Sequence, residues 1–211
     1  STKVFHTIRE DILSGKYRYN EELKEKTIGD ELGVSRTPVR EALRQLELEG
    51  LVTIIPNKGA YVVGISKEDI QDIYEIRSRL EGCAKWACSH ITKEQLDELE
   101  ENIYLSEFHA GKEGHAEQIL ELDNKFHEIL YEASESPVLK HTLSDFHHYV
   151  QRVRKIPLAD PKRAVASNEE HRKIVEALKA KDSKKAEELA TIHMMNTIQN
   201  MDQYGWDNLL K

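Results

Sequence analysis

Four residues in the second half of the chain have the types and spacing to hold a metal ion. Asp123 and His127 stand four apart in Leu122-Asp123-Asn124-Lys125-Phe126-His127, so a helix puts both on one face. Ile119, Leu120, Leu130 and Tyr131 share that face and turn it inward. His171 has Ile174, Val175 and Leu178 at i+3, i+4 and i+7, and His193 shares a face with Ala186, Leu189, Ala190 and Thr197. The turn between these two later stretches falls at Lys181-Asp182-Ser183, with each histidine 11 residues from Asp182. Antiparallel helices therefore carry both imidazoles at one depth, roughly 16 Å from the turn. One inward histidine is most often a hydrogen-bonded core residue. One carboxylate and three imidazoles together make an N/O donor set for a borderline divalent ion: zinc first, with nickel or manganese also suited.

Arg77 is a second inward oddity, flanked by Ile73, Tyr74, Leu80 and Ala84. A buried guanidinium needs a partner. Glu81, four residues on, is the bland one; an acidic effector beside the metal is the other. Arg152 and Arg154 are weaker effector contacts, because their helical phase is unclear. His147 or His148 could line the same pocket.

A different chemistry sits in the first third. Arg36, Arg40 and Arg44 fall at i, i+4 and i+8 on one helix face, with Val39, Leu43, Leu46 and, toward the edge, Leu48 on the buried side. The planar fork of arginine suits guanine O6/N7 or a phosphate. Ser35, Thr37 and the free N–H groups at the start of that helix suit phosphate as well. Three arginines in step are often just a solvated face; what precedes and follows them argues otherwise. An opening helix ends at Gly15. A short helix, Thr27 to Leu32, stops at Gly33, and the Arg-bearing helix follows, capped by Ser35 with Pro38 in its first turn and running to about Glu49. Leu51 to Ile55 and Ala60 to Val63 then flank Pro56-Asn57-Lys58-Gly59 as a β-hairpin. This is a winged helix-turn-helix, with Lys58 at the tip of the wing.

From Ser66 on, the apolar period is 3.6, and the spacing predicts helices near 66–90, 92–110, 115–134, 137–156, 160–180 and 183–201. Ser66, Thr92 and Ser183 are the expected N-caps, and Gly111, Gly114, Pro137 and Pro157 the breaks. The fold class is mainly α: a winged helix-turn-helix with a small β-hairpin wing over residues 1–64, and an all-α antiparallel bundle over residues 65–211. Charge divides the same way. Residues 1–64 hold ten Lys+Arg and ten Asp+Glu, leaving 20 of the 30 basic and 28 of the 38 acidic residues, and all of the net −8, to the rest. A neutral front with clustered arginines suits DNA better than an acidic rear does. No apolar run is long enough for a membrane span, and the first residues lack the apolar stretch of a signal peptide. The two cysteines, Cys83 and Cys88, point apart on one helix and do not make a disulfide scaffold; a reducing cytoplasm fits.

The run Gly33-Val34-Ser35-Arg36-Thr37-Pro38-Val39-Arg40-Glu41-Ala42-Leu43-Arg44-Gln45-Leu46-Glu47, followed by Glu49-Gly50-Leu51-Val52, closely resembles the signature of the GntR family of bacterial regulators. Pro56-Asn57-Lys58-Gly59-Ala60-Tyr61-Val62 fits that family's wing. The resemblance implies that Arg36, Thr37, Arg40, Lys58 and Gly59 touch DNA, with Lys26 at a position where some members carry another basic contact. It also implies a homodimer on a near-palindromic double-stranded operator. An all-helical rear domain looks like the FadR branch with its FCD ligand-binding domain. Metal-binding FCD domains use an Asp-x3-His pair and two later histidines, which Asp123, His127, His171 and His193 match in order and spacing.

The leading expectation is thus a DNA-binding regulator, not an enzyme, that holds one divalent metal ion per chain and senses a small carboxylate, with Arg77 beside it. A purely structural metal, or none, is the alternative. A metal-dependent hydrolase comes last, because no inward Glu near the ligands stands out as a base and the DNA-reading half would go unexplained.

Overall fold

The computed structural model describes residues 2–110, 112 and 114–209, without the side chains of residues 152, 207 and 208; the expected break at Gly111 and the side chain of Arg152 lie outside the described residues. The chain divides into two units, 1–66 and 67–211.

In the first unit, α1 (Thr2–Leu13) lays Val4, Ile8, Ile12 and Leu13 onto α3 (Arg36–Leu48), which answers with Val39, Ala42, Leu43 and Leu46. Leu48 is 89% exposed, so it is no part of the core; the apolar face of α3 closes with Leu46. The short helix α2 (Glu25–Leu32) ends on Gly33, whose φ of 65° is the left-handed conformation this sharp turn requires. Gly29 is required for a different reason. A Cβ there would stand 2.8 Å from the Val34 carbonyl oxygen, so only glycine lets α2 approach the turn this closely. Strands β2 (Val52–Ile55) and β3 (Gly59–Val62) pair as expected, Val52 opposite Val62 and Ile55 opposite Gly59. Asn57 takes a φ of 61° in the loop between them. A third strand, β1 (Glu22–Leu23), adds to the free edge of β3, giving the order β1-β3-β2.

The regular elements among the described residues of the second unit are all helical: α4 (Lys67–Leu80), α5 (Ala84–His90), α6 (Lys93–His109), α7 (Ala116–Ala133), α8 (Pro137–Ala159), α9 (Pro161–Lys179), α10 (Ser183–Tyr204) and α11 (Trp206–Leu209). The expected single helix 66–90 is broken by a 3₁₀ turn over Glu81–Cys83, so the free, buried thiols of Cys83 and Cys88 do not share one helix. Thr92 caps α6 in a reciprocal box with Gln95. The cap of α10 is Asp182 rather than Ser183: its carboxylate accepts from the Lys185 N–H. Pro157 does not end α8; the helix runs on to Ala159, and Asp160 then caps α9. The core gathers around Phe126, Leu130, Leu143 and Ile174, each essentially sealed from water. Each such side chain contributes roughly 1.5–3 kcal/mol. α7 packs on α6 and α8, and α10 on α9, α5 and α4; side chains of α7, α9 and α10 meet in the interior, where Phe126 faces His171 and His127 faces His193.

Candidate functional site

In the first unit, the exposed face of α3 carries Arg36, Arg40 and Arg44. These line a groove of about 440 Å³ with Lys24, Glu25, Lys26, Ile54, Gly59 and others. Lys26 lies inside α2, not before it. Ser35 holds the N-cap position of α3, yet its side chain makes no capping hydrogen bond, which leaves the first-turn N–H groups open to an anion. Thr37 and Lys58 are exposed. Arg40 is not loose: its Nε donates to Glu25 Oε1 at 2.8 Å and its Nη2 to Glu25 Oε2 at 2.7 Å. The sequence reading did not single out Glu25.

In the second unit, the structure brings the three expected histidines together. One ring nitrogen from each of His127, His171 and His193 lies within 4.8 Å of the others, all buried. His171 and His193 stand level, Nε2 to Nε2 at 3.3 Å. The His171 ring stacks on Phe126 with centroids 3.7 Å apart. Asp123 is buried, its Oδ1 3.7 Å from His171 Nε2, but its carboxylate is paired with the Arg154 guanidinium. Arg154 also meets His147 and Asn124. The weaker candidate Arg154 is therefore at the centre, and His147 stands just behind it.

The rings are held from behind. His193 Nδ1 lies 2.6 Å from Glu170 Oε2, and Glu170 also accepts from Arg163 and Asn196. Burial pushes the Glu170 carboxyl up, but the His193 and Arg163 contacts outweigh it and leave it at about 2. Burial pulls His193 down to about 4, against the pull of Glu170, and holds His171 well below the ordinary imidazole range. His193 is thus neutral at neutral pH, with its proton on Nδ1 toward Glu170 and its Nε2 lone pair free to face the other rings. A carboxylate behind an imidazole is the usual support for a metal ligand. Glu81 takes a similar place behind His127, Oε2 to Nδ1 at 3.5 Å. Two inward glutamates therefore lie beside the histidines, where the sequence showed none that stood out as a base. Glu81 is four residues from Arg77, and Glu170 reaches across to the next helix, so neither pattern was legible as part of the same cluster.

Arg77 takes the expected bland partner. Its Nε and Nη2 reach Glu81 Oε1 at 3.2 and 2.7 Å, and the Tyr131 hydroxyl donates to the same oxygen at 2.6 Å. Arg77 also lines a cavity of about 20 Å³ with Tyr74, Asp123, His127, Arg154, Arg163 and His193, among others. Its Nη1 finds no hydrogen-bond partner.

Comparison with known proteins gives these two units their family. Residues 1–62 match the bacterial regulatory proteins of the gntR family, and residues 72–196 match the FCD domain. The chain is a GntR-family regulator with an FCD domain. Like the family, it is a bacterial DNA-binding transcriptional regulator. It is 30% identical over 192 residues to the Nta operon transcriptional regulator of Aminobacter aminovorans, covering 90% of this chain and 88% of that protein. It is 28% identical to the HTH-type transcriptional repressor RspR of Escherichia coli K12, covering 98% and 90%. Among solved structures, E. coli McbR/YncC shares the fold with a TM-score of 0.77 at 24% identity, over 96% of this chain and 97% of that one. These relatives are regulators of transcription, not enzymes. No described helix of this GntR regulator is long and apolar enough to cross a membrane.

Proposed function

We propose that the FCD unit binds one divalent ion on His127, His171, His193 and Asp123, and that a small carboxylate effector bound beside it adjusts operator affinity. The supporting observation is the convergence of three buried imidazole nitrogens within 4.8 Å of one another. Pre-oriented imidazoles with a nearby carboxylate suit zinc best, with nickel or manganese next. When bound, the ion supplies positive charge and open coordination positions for an acid. Arg154 neutralises Asp123 and would yield it as a ligand, while Arg77 lines the cavity and has an Nη1 without a hydrogen-bond partner. On this reading the protein is cytoplasmic, works as a homodimer on a near-palindromic operator, and contacts DNA through Lys26, Ser35, Arg36, Thr37, Arg40, Arg44, Lys58 and Gly59. Elemental analysis of the purified chain tests the metal. Equal content in the wild type and in His171→Ala/His193→Ala would reduce these histidines to core packing.

A second reading is favoured by the size of the cavity. About 20 Å³ accommodates an ion or one water but no carboxylic acid. In that case the metal is structural, tying α7, α9 and α10 together. Titrating the metal-loaded protein on DNA with simple carboxylic acids separates the two readings, since a structural ion leaves DNA affinity unmoved.

A further inference from the structure

Glu25 places a negative charge in the middle of the surface that carries Arg36, Arg40 and Arg44. The Arg40 hydrogen bonds hold its carboxyl below the usual range, and the charges of Arg36 and Arg44 act in the same direction. For a face that must meet phosphates, such a charge is a liability. Each cation that neutralises a phosphate releases a counterion, and an interleaved anion subtracts from that gain. Nor does the pair hold the fold together to any large extent. Its side chains are 53% and 30% exposed, and an ion pair so open to water adds little to stability.

The geometry of the pair accounts for it. A guanidinium has five N–H groups. Glu25 takes one edge of Arg40, the Nε and Nη2 side, with both of its own oxygens. The end of the fork, between Nη1 and Nη2, keeps two N–H groups side by side, which is the pattern that fits guanine O6 and N7. An unheld arginine has several rotatable bonds to fix on binding and settles on whichever phosphate is nearest. Held by its flank, Arg40 presents a fixed end to a base edge.

We infer that Glu25 is a positioning residue for sequence reading: it orients Arg40 toward a base, and its charge weakens attachment to DNA of any other sequence. This rests on Arg40 being a DNA contact, and the test separates the two claims. Duplexes are selected from a random pool by the full-length wild type and by Glu25→Gln, Glu25→Asp and Arg40→Ala. Affinities for the wild-type-selected duplex and for a shuffled duplex are then titrated between about 50 and 200 mM salt.

With Glu25→Gln, the shuffled duplex is expected to bind several-fold tighter, with a salt slope steeper by about one. The ratio of selected to shuffled affinity should fall about tenfold, and one guanine per half-site should lose its preference. Glu25→Asp keeps the charge but shortens the reach, so only the selected duplex should weaken. An unchanged ratio and slope in Glu25→Gln overturns the inference. So does an equal loss on both duplexes with a lower melting temperature, which would make Glu25 a plain link between α2 and α3, and so does wild-type behaviour of Glu25→Asp. If Arg40→Ala selects the same sequence as the wild type, Arg40 is not a reader, and Glu25 has nothing to position.

Discussion

Replacing Arg77 by methionine removes one half of an ion pair whose side chains are 1% and 2% exposed. Methionine fills much of the arginine volume, so the cost is mainly electrical. Breaking a buried pair from one side costs about 3–5 kcal/mol, because the remaining charge has lost its counter-ion in a medium that cannot solvate it. Here Glu81 keeps the Tyr131 hydroxyl at 2.6 Å, which places Arg77→Met near the lower end, about 3 kcal/mol. For a protein of this size that lowers the melting temperature by roughly 6–12 °C. Glu81→Gln leaves Arg77 as the uncompensated charge and should cost a similar amount. The double variant removes both charges and should cost clearly less than the sum, with a coupling of about 1–3 kcal/mol. Urea unfolding followed by tryptophan fluorescence measures this, since Trp86 and Trp206 both belong to the helical unit. A cost below about 1 kcal/mol for Arg77→Met, or strict additivity, would refute the argument that buried charge compensation dominates at this position.

Arg40→Ala should weaken binding to a selected operator by about 1–3 kcal/mol while the fold stays intact; unchanged affinity at fixed salt in an anisotropy titration removes Arg40 from the reading set. The chelator-treated protein should lose stability in acid. His193 titrates at about 4 when folded, against about 6.5 when unfolded. The unfolded chain therefore takes up that proton first, and stability declines as pH falls from about 6.5 toward 4, by roughly 3 kcal/mol in all. His171, held low by the same burial, adds to the loss. Melting temperatures that stay level from about pH 7 to 5 would contradict this. The full chain should sediment as a dimer at micromolar concentration, because one small winged helix buries too little surface to hold a specific site alone; a monomer there counts against the two-headed reading.

Long elements were legible because their apolar period repeats many times. α6, α7, α9 and α10 lie within a few residues of their expected ends. What failed is local or non-local in specific ways. β1 has two residues, too few for any period, and exists only because β3 offers it an edge. The 3₁₀ turn at Glu81–Cys83 contains glycine, but one glycine in an otherwise helical pattern also fits an unbroken helix. Leu48 is apolar by type but stands two residues after Leu46, toward the edge of the buried face, and it is exposed. Pro157 is a helix breaker by type, yet α8 runs on through it to Ala159. In the site, the histidines were legible from phase and depth. Glu170, Arg163 and Arg154 were not, because their roles come from partners on other helices or from phase that sequence alone left open.

The helix α4 starts at Lys67, directly after the residue at which the first unit ends, and carries Arg77 ten residues later. At a rise of 1.5 Å per residue, this guanidinium is about 15 Å along a continuous hydrogen-bonded rod from the point where the chain changes units. No loop or glycine interrupts that stretch. A helix transmits a push along its axis almost undiminished, whereas a flexible linker would dissipate it. The guanidinium and the first turn of α4 therefore belong to one stiff element of the second unit.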